Sequence, residues 1–248
     1  MPPYELLEFE TPDDLAQAAA TALLADLQAA SQAGRTFSVA LSGGRVARLF
    51  FERLAEQARA HVGVFDHVHF FWADERCMPP DSADSNYRLA QEGLFAPLNL
   101  PASNIHRLRG ELEPAQAVVQ AEAELRELVA PDAKGMPALD LVLLGLGEDG
   151  HVASLFPGAG PDVVNCPAPF LAIYDSPKPP PRRITLSYAA IAAARAVWVL
   201  ASGAGKAEAL RNSLIPGGQT PLARVIQQKM AIKILCDPTK EIACKQIA

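Results

Sequence analysis

The sequence predicts an α/β protein in which a parallel sheet is flanked by helices. Three observations carry this. Apolar runs of strand length, such as VHFFWA (68–73), LDLVLL (139–144) and AVWVLA (196–201), alternate with longer segments whose apolar residues recur at helical period. The runs are nearly continuous rather than alternating, as expected of strands buried on both faces. Small residues follow several of them, and open α/β sheets bind ligands beyond the carboxyl ends of their strands. At 248 residues, half of them apolar, the chain is expected to form one large domain over 1–248. Few aromatics and abundant alanine and leucine suit helices packed on a sheet.

The net charge of −6 gives no support for nucleic-acid binding, which calls for a basic face, and an anionic ligand would need a local positive pocket. Cys77, Cys166, Cys236 and Cys244 have neither CxxC spacing nor histidines at metal-ligand intervals, and are expected to be reduced and structural. The opening MPPYELLEFE has neither the basic nor the apolar segment of a secretory signal, and no apolar run reaches the roughly 20 residues that span a bilayer. A soluble, cytoplasmic protein with no membrane partner is therefore expected. A monomer is the simplest assembly, although the sequence does not set it.

A short strand at 5–10 precedes a helix opened by Thr11 as cap, Pro12 in the first position, and Asp13 and Asp14 at the positive end of the dipole; it runs to about Ser31. The strand TFSVAL (36–41) leads at once into Ser42-Gly43-Gly44 and a helix with Val46, Leu49, Phe50 and Leu54 on one face. Strand, small-residue loop and helix together offer backbone N–H groups and a helix N-terminus to a phosphate, although glycines after strands are common in any α/β protein.

The strand 68–73 ends in Asp74-Glu75-Arg76, followed by Asp81 and Ser85-Asn86-Tyr87. A guanidinium binds phosphate bidentately, so Arg76 is a candidate ligand; a salt bridge to Asp74, Glu75 or Asp81 is the competing reading. Asp74 is a candidate second acid or base. His106, in the stretch 104–108, is given no catalytic role, and 114–130 reads as a solvated amphipathic helix.

The most informative segment is LDLVLLGLGEDGHVASLFPG (139–158). A buried strand stops at Gly145, and Gly147 and Gly150 let the backbone turn and approach a ligand. Among them stand Glu148, Asp149, His151 and Ser154. An imidazole titrates near neutral pH, so His151 is the first candidate for a general base, with Asp149 beside it. A glycine-rich turn with a surface histidine is the plainer alternative, but so many polar groups between two apolar stretches argue against it.

Beyond Gly158 the chain reads as loop to Pro169, then a strand at 170–174 and the run SPKPPPRRITL (176–186). Its prolines form a stiff extended segment that is either a PxxP peptide ligand or a rigid edge placing Lys178 or Arg183. The strand 196–201 is followed by Ser202-Gly203-Ala204-Gly205-Lys206. The phosphate-loop pattern GxxxxGK[ST] is absent, since Ala207 follows the lysine, so nucleotide hydrolysis is not expected. Lys206 at a helix start adds a cation where an anion would sit, or is simply a solvated lysine. A loop at 216–222, a helix and a last strand at 231–236 complete the pattern, with Asp237-Pro238 and a tail beyond.

GLGEDGHVASLFPG resembles the signature of the 6-phosphogluconolactonases. The related glucosamine-6-phosphate deaminases share its GxGxDGH core but continue differently. The SGG loop, the DER–Pro–Asp–SN series, PKPPPRRITLS and the GxxK of Gly203 to Lys206 resemble the same family in the same order, over nearly the whole chain. The SGG loop departs from the family's Ser-Gly-Gly-Ser-Thr-Pro, and Arg45 stands where hydroxyls would bind phosphate.

The resemblance implies the Rossmann-like fold shared with the deaminases and ribose-5-phosphate isomerases, a short strand at 104–108, and hydrolysis of 6-phosphogluconolactone. It implies a phosphate held by Arg76, Lys206 and the 42–44 amides, with Asn86, Arg45 and Arg183 further candidates. His151 would activate water, and the backbone from Gly147 to Gly150 would receive the oxyanion. A lactone is already a reactive ester, so neither metal nor redox cofactor is called for. The rival readings are a deaminase-like isomerase and a noncatalytic sugar-phosphate sensor.

Overall fold

Strand β1 (Tyr4–Glu8) leads into helix α1 (Pro12–Gln32), whose first turn is closed by Asp14 N donating to Thr11 Oγ1 at 3.1 Å. The computed structural model describes residues 4–61, 63–229 and 231–237. The buried face of α1 is Leu15, Ala16, Ala19, Ala20, Leu23 and Leu27, and it packs against α2 (Arg45–Ala58). Between them β2 (Phe37–Leu41) is buried at every position, which requires cover on both sheet faces.

Strand β3 (Val68–Trp72) continues through Ala73 directly into β4 (Asp74–Arg76). Helix α3 (Asn86–Ala90) passes through one π-helical turn (Gln91–Phe95) into α4 (Ala96–Leu98). Phe95 packs on Phe70 and Trp72, with centroids 5.0 and 5.9 Å apart. Helix α5 (Pro114–Leu128) precedes β5 (Leu141–Gly145). Then come α6 (Pro161–Val164), β6 (Phe170–Ile173), β7 (Arg183–Leu186), α7 (Tyr188–Ala193), β8 (Ala196–Ala201), α8 (Ala207–Leu214), α9 (Pro221–Gln228) and β9 (Ile232–Cys236).

Six strands form one parallel sheet in the order β1-β9-β8-β5-β2-β3. From β2 the chain runs outward to β3 and later returns on the other side at β5. The carboxyl ends of β2 and β5 thus flank a switch point, where a crevice must open.

Three local expectations are corrected. The sheet is not the only one: β4, β7 and β6 form an antiparallel three-stranded sheet, with Asp74 opposite Thr185 and Phe170 opposite Leu186. The proline-rich connection from β6 to β7 is too short for a crossover, so the two strands pair as a hairpin. The stretch 104–108 is not a strand but a 3₁₀ turn (Ala102–Asn104) and one bridge from Ile105 to Phe70. There His106 bonds His69 at 2.8 Å and Glu124 at 2.7 Å. The stretch after Gly158 contains the single helical turn α6. Cys77, Cys166 and Cys236 are free thiols; Cys244 and the tail from Pro238 lie outside the described residues. Among the described residues no helix is long and apolar enough to cross a membrane.

Candidate active site

The crevice at the switch point is a cavity of about 300 Å³. Its walls are the carboxyl ends of β2, β5 and β8 and the start of the antiparallel sheet. Ser42, Gly43, Gly44, Arg45, Asp74, Arg76, Asn86, Gly147, His151, Arg183 and Lys206 all line it. Residues up to 164 positions apart in sequence, Ser42 and Lys206, are thereby brought to one opening. Asp149 and Gly150 are not among the lining residues.

His151 is set by the turn after β5. Gly147 N donates to His151 O at 2.8 Å and Gly150 N to Gly147 O at 3.0 Å, closing a tight loop. A Cβ on Gly147 would stand 2.0 Å from His151 Nδ1, so only glycine lets the imidazole lie across the backbone there. Nδ1 is 2.5 Å from Asp149 Oδ1, and the ring packs on Phe156 with centroids 4.7 Å apart. With Nδ1–H donated to Asp149, the lone pair sits on Nε2 and is left for the cavity. Burial holds the imidazole pKa below its usual value against the opposing pull of Asp149, which favours the neutral ring. Burial pushes the Asp149 carboxyl up, but the hydrogen bond and charge of His151 outweigh it and the net direction is down. The neighbouring Ala153 adopts φ 48 and also lines the cavity, a left-handed conformation uncommon for a residue with a Cβ.

Asp74 sits where the chain passes from one sheet to the other. Ala73 N donates to Leu41 O in the parallel sheet, and Leu186 N donates to Ala73 O in the other. The Asp74 carboxylate accepts from Ser154 Oγ at 2.7 Å and from Asn86 Nδ2 at 3.3 Å, with Arg183 Nη1 3.9 Å away. Arg183 is itself clamped, donating to the carbonyls of Lys178, Pro179 and Pro180 at 3.1, 3.0 and 2.9 Å. Its guanidinium stands over the Phe156 ring that also carries His151.

The opposite wall suits an anion. Gly44 caps α2 at φ 106 with no side-chain hydrogen bond, which leaves the first amides of a 14-residue helix without a capping acceptor. Lys206 ends a 3₁₀ turn (Ala204–Lys206) held by Asp237, whose carboxylate accepts from Ser202 Oγ at 2.7 Å and Gly203 N at 2.9 Å. Burial lowers the Lys206 pKa; Glu148 opposes this, and Lys178 and Arg45 add to it. An ammonium in that field is poised for an anionic partner. Four cations, Arg45, Arg76, Arg183 and Lys206, face one carboxylate, Asp74, in a chain of net charge −6.

Two expectations change. The Gly147 and Gly150 amides are engaged within the loop and are not available to an oxyanion. Arg76 forms no ion pair with Asp74, Glu75 or Asp81; its Nη1 donates to Asp84 O at 2.7 Å and its Nε is buried without a partner.

Two residues of the site went unassigned in sequence. Glu75 is 2 % exposed, and its carboxylate accepts from the N–H groups of Arg76, Asn86 and Tyr87 and from Ser85 Oγ. It pins the start of α3, and with it Asn86, to β4. Ser154 is fully buried against Asp74. Glu75 had a signal, an acid within a polar triplet at a strand end; Ser154 had only its place after His151.

The chain is similar to known proteins over most of its length. Residues 10–234 match the family described as glucosamine-6-phosphate isomerases/6-phosphogluconolactonase. A protein of Oryza sativa subsp. indica named "Probable 6-phosphogluconolactonase 3, chloroplastic" is 40% identical over 217 residues, which cover 84% of this chain and 65% of that protein. The chain thus spans just under two thirds of that curated relative's length. A 6-phosphogluconolactonase of Mycobacterium tuberculosis is 36% identical over 224 residues, covering 87% of each chain. The solved structure of a 6-phosphogluconolactonase from Trypanosoma brucei superposes with a TM-score of 0.85 at 29% identity, covering 98% of both chains. Matched by that family's model over residues 10–234 and 36% identical to a relative covered over 87% of its length, the chain belongs to the glucosamine-6-phosphate isomerase/6-phosphogluconolactonase family.

Proposed function

We propose that this chain, acting as a single domain, hydrolyses 6-phospho-D-glucono-1,5-lactone to 6-phospho-D-gluconate, the second step of the oxidative pentose phosphate pathway. The observation that carries the reading is the His151–Asp149 pair at the mouth of a cavity lined by four cations. The cations of that cavity suit a phosphate, and His151 supplies it with an imidazole. The names of the relatives point to the same substrate.

In this mechanism the phosphate lies at the N-terminus of α2 with Arg45 and Lys206, while Arg76 completes the positive field from the antiparallel sheet. That remote anchor fixes the lactone ring against His151. His151 Nε2 takes a proton from water as the water oxygen attacks C1. Asp149 stabilises the imidazolium that forms, and Arg183 is assigned the charge on the former carbonyl oxygen. Collapse of the tetrahedral intermediate breaks the bond from C1 to the ring oxygen, and His151 returns the proton to that oxygen. Asp74, held by Ser154 and Asn86, keeps Arg183 in place.

Acid release from lactone generated in place, corrected for spontaneous hydrolysis, tests this. The wild type should exceed the spontaneous rate, and His151→Ala should lose about 10²-fold or more. A wild type that only tracks the spontaneous rate would refute it, and ammonia release from glucosamine 6-phosphate would then test the deaminase alternative. A cytoplasmic monomer belongs to the same reading; sedimentation velocity checks the monomer.

A further inference from the structure

Asp149 Oδ1 is shared. It accepts from His151 Nδ1 at 2.5 Å, and Lys178 Nζ lies 3.6 Å from the same oxygen. Lys178 comes from the connection between β6 and β7, not from the loop that carries the histidine. Its backbone is held at three points: Lys178 N donates to Ser176 Oγ at 3.2 Å, and Lys178 O accepts from Ser176 Oγ at 2.9 Å and from Arg183 Nη2 at 3.1 Å. The prolines that follow stiffen the segment further. Lys178 is not among the residues lining the cavity, although its ammonium reaches the carboxylate beside His151.

We propose that Lys178 is a positioning residue that holds Asp149 through the oxygen His151 also uses and sets the pH range over which His151 works as a base. The proposal rests on the hydrolytic role given to His151 above. One carboxylate oxygen facing both an imidazole and an ammonium presents less negative potential to each than to either alone. Less of it is left to favour the imidazolium, so His151 stays neutral to lower pH at some cost in basicity.

The other charged groups near the ring do not cancel this effect. Asp74, from β4, favours the imidazolium, and Arg183, from β7, stands over Phe156 on which the ring packs. Lys206, at the start of α8, faces Asp149 and Glu148. Among the described residues, Lys178 is the one cation placed within 4 Å of the oxygen that His151 uses. It is 42% exposed, so its effect is modest and screened by salt.

The test is an NMR titration of the His151 ring beside the pH profile of kcat/KM, in the wild type, Lys178→Met and Lys178→Arg. In Lys178→Met the His151 midpoint should rise, and kcat/KM on the acid limb should fall roughly two- to five-fold. Lys178→Arg should keep the wild-type midpoint, and added salt should move the wild type toward Lys178→Met. A purely structural lysine would lower the rate equally at every pH and leave the midpoint in place. An unmoved His151 midpoint in Lys178→Met overturns the proposal. The titration needs no substrate, so it remains decisive even for a protein without lactonase turnover, an outcome that would refute the proposed function instead.

Discussion

His151 and Asp149 form a pair closed at 2.5 Å across a turn that admits no side chain at Gly147. The carboxylate fixes which ring nitrogen carries the proton, and the turn fixes where the other nitrogen lies. Asp149→Asn leaves a group of the same shape that can present its N–H₂ to Nδ1 and favour the wrong tautomer. A loss in kcat of about 10²-fold or more is expected with an unchanged melting temperature. Retention of the wild-type rate would remove Asp149 from the mechanism.

Gly147→Ala tests the same geometry through sterics. The added methyl would stand 2.0 Å from Nδ1 and 2.6 Å from Asp149 Oδ1, so both partners must move. A displacement of about 1 Å at a reacting group costs on the order of 10² in rate. Circular dichroism should show a folded protein, and an active one would mean that the ring has room to move.

The lowered pKa of His151 sets the acid limb of activity. The ring must be neutral to act, so kcat/KM should rise with pH through a midpoint below the ordinary 6.5 and then level off. Stability follows the same sign. Between the folded and unfolded pKa values the unfolded chain binds more protons at this site, so stability falls as pH drops from 6.5 through the folded value. His151→Ala should weaken that dependence in thermal melts recorded across the window, and an unaltered slope would contradict it.

Ser154 and Asp74 carry a stability prediction. Ser154 is fully buried, and its hydroxyl satisfies Asp74 Oδ2 at 2.7 Å. Ser154→Ala leaves that oxygen short of a donor, which should cost about 1–3 kcal/mol in denaturant melts. Arg183, 3.9 Å from the same oxygen, should also shift, so kcat should fall.

Asp237 tests the anion wall without touching substrate. Its two carboxylate oxygens hold Ser202 and Gly203, which form the turn that ends in Lys206. Asp237→Ala should raise KM by roughly tenfold and change kcat much less, since a loosened phosphate anchor weakens uniform binding. An equal loss in kcat would place the effect at the chemistry instead.

The sequence by itself determined the six strands of the parallel sheet, the longer helices and the turn at His151. Each of these depends on neighbours in the chain: a period of 3.6 in α2, a Thr11–Pro12 start in α1, glycines where β5 must turn. It also placed the cations at strand and helix ends, because a parallel sheet puts those ends on one side. Tertiary structure alone decided the rest. That Asp74 joins two sheets, that Ser154 and Asn86 grip its carboxylate, and that Lys178 meets Asp149 follow from strand pairings between distant segments. So does the engagement of the Gly147 and Gly150 amides, which depends on the conformation the loop adopts rather than on its composition. Local patterns record which face of an element is buried. Which donor finds which acceptor is settled only when the register of β4 on β7 brings them within hydrogen-bonding distance.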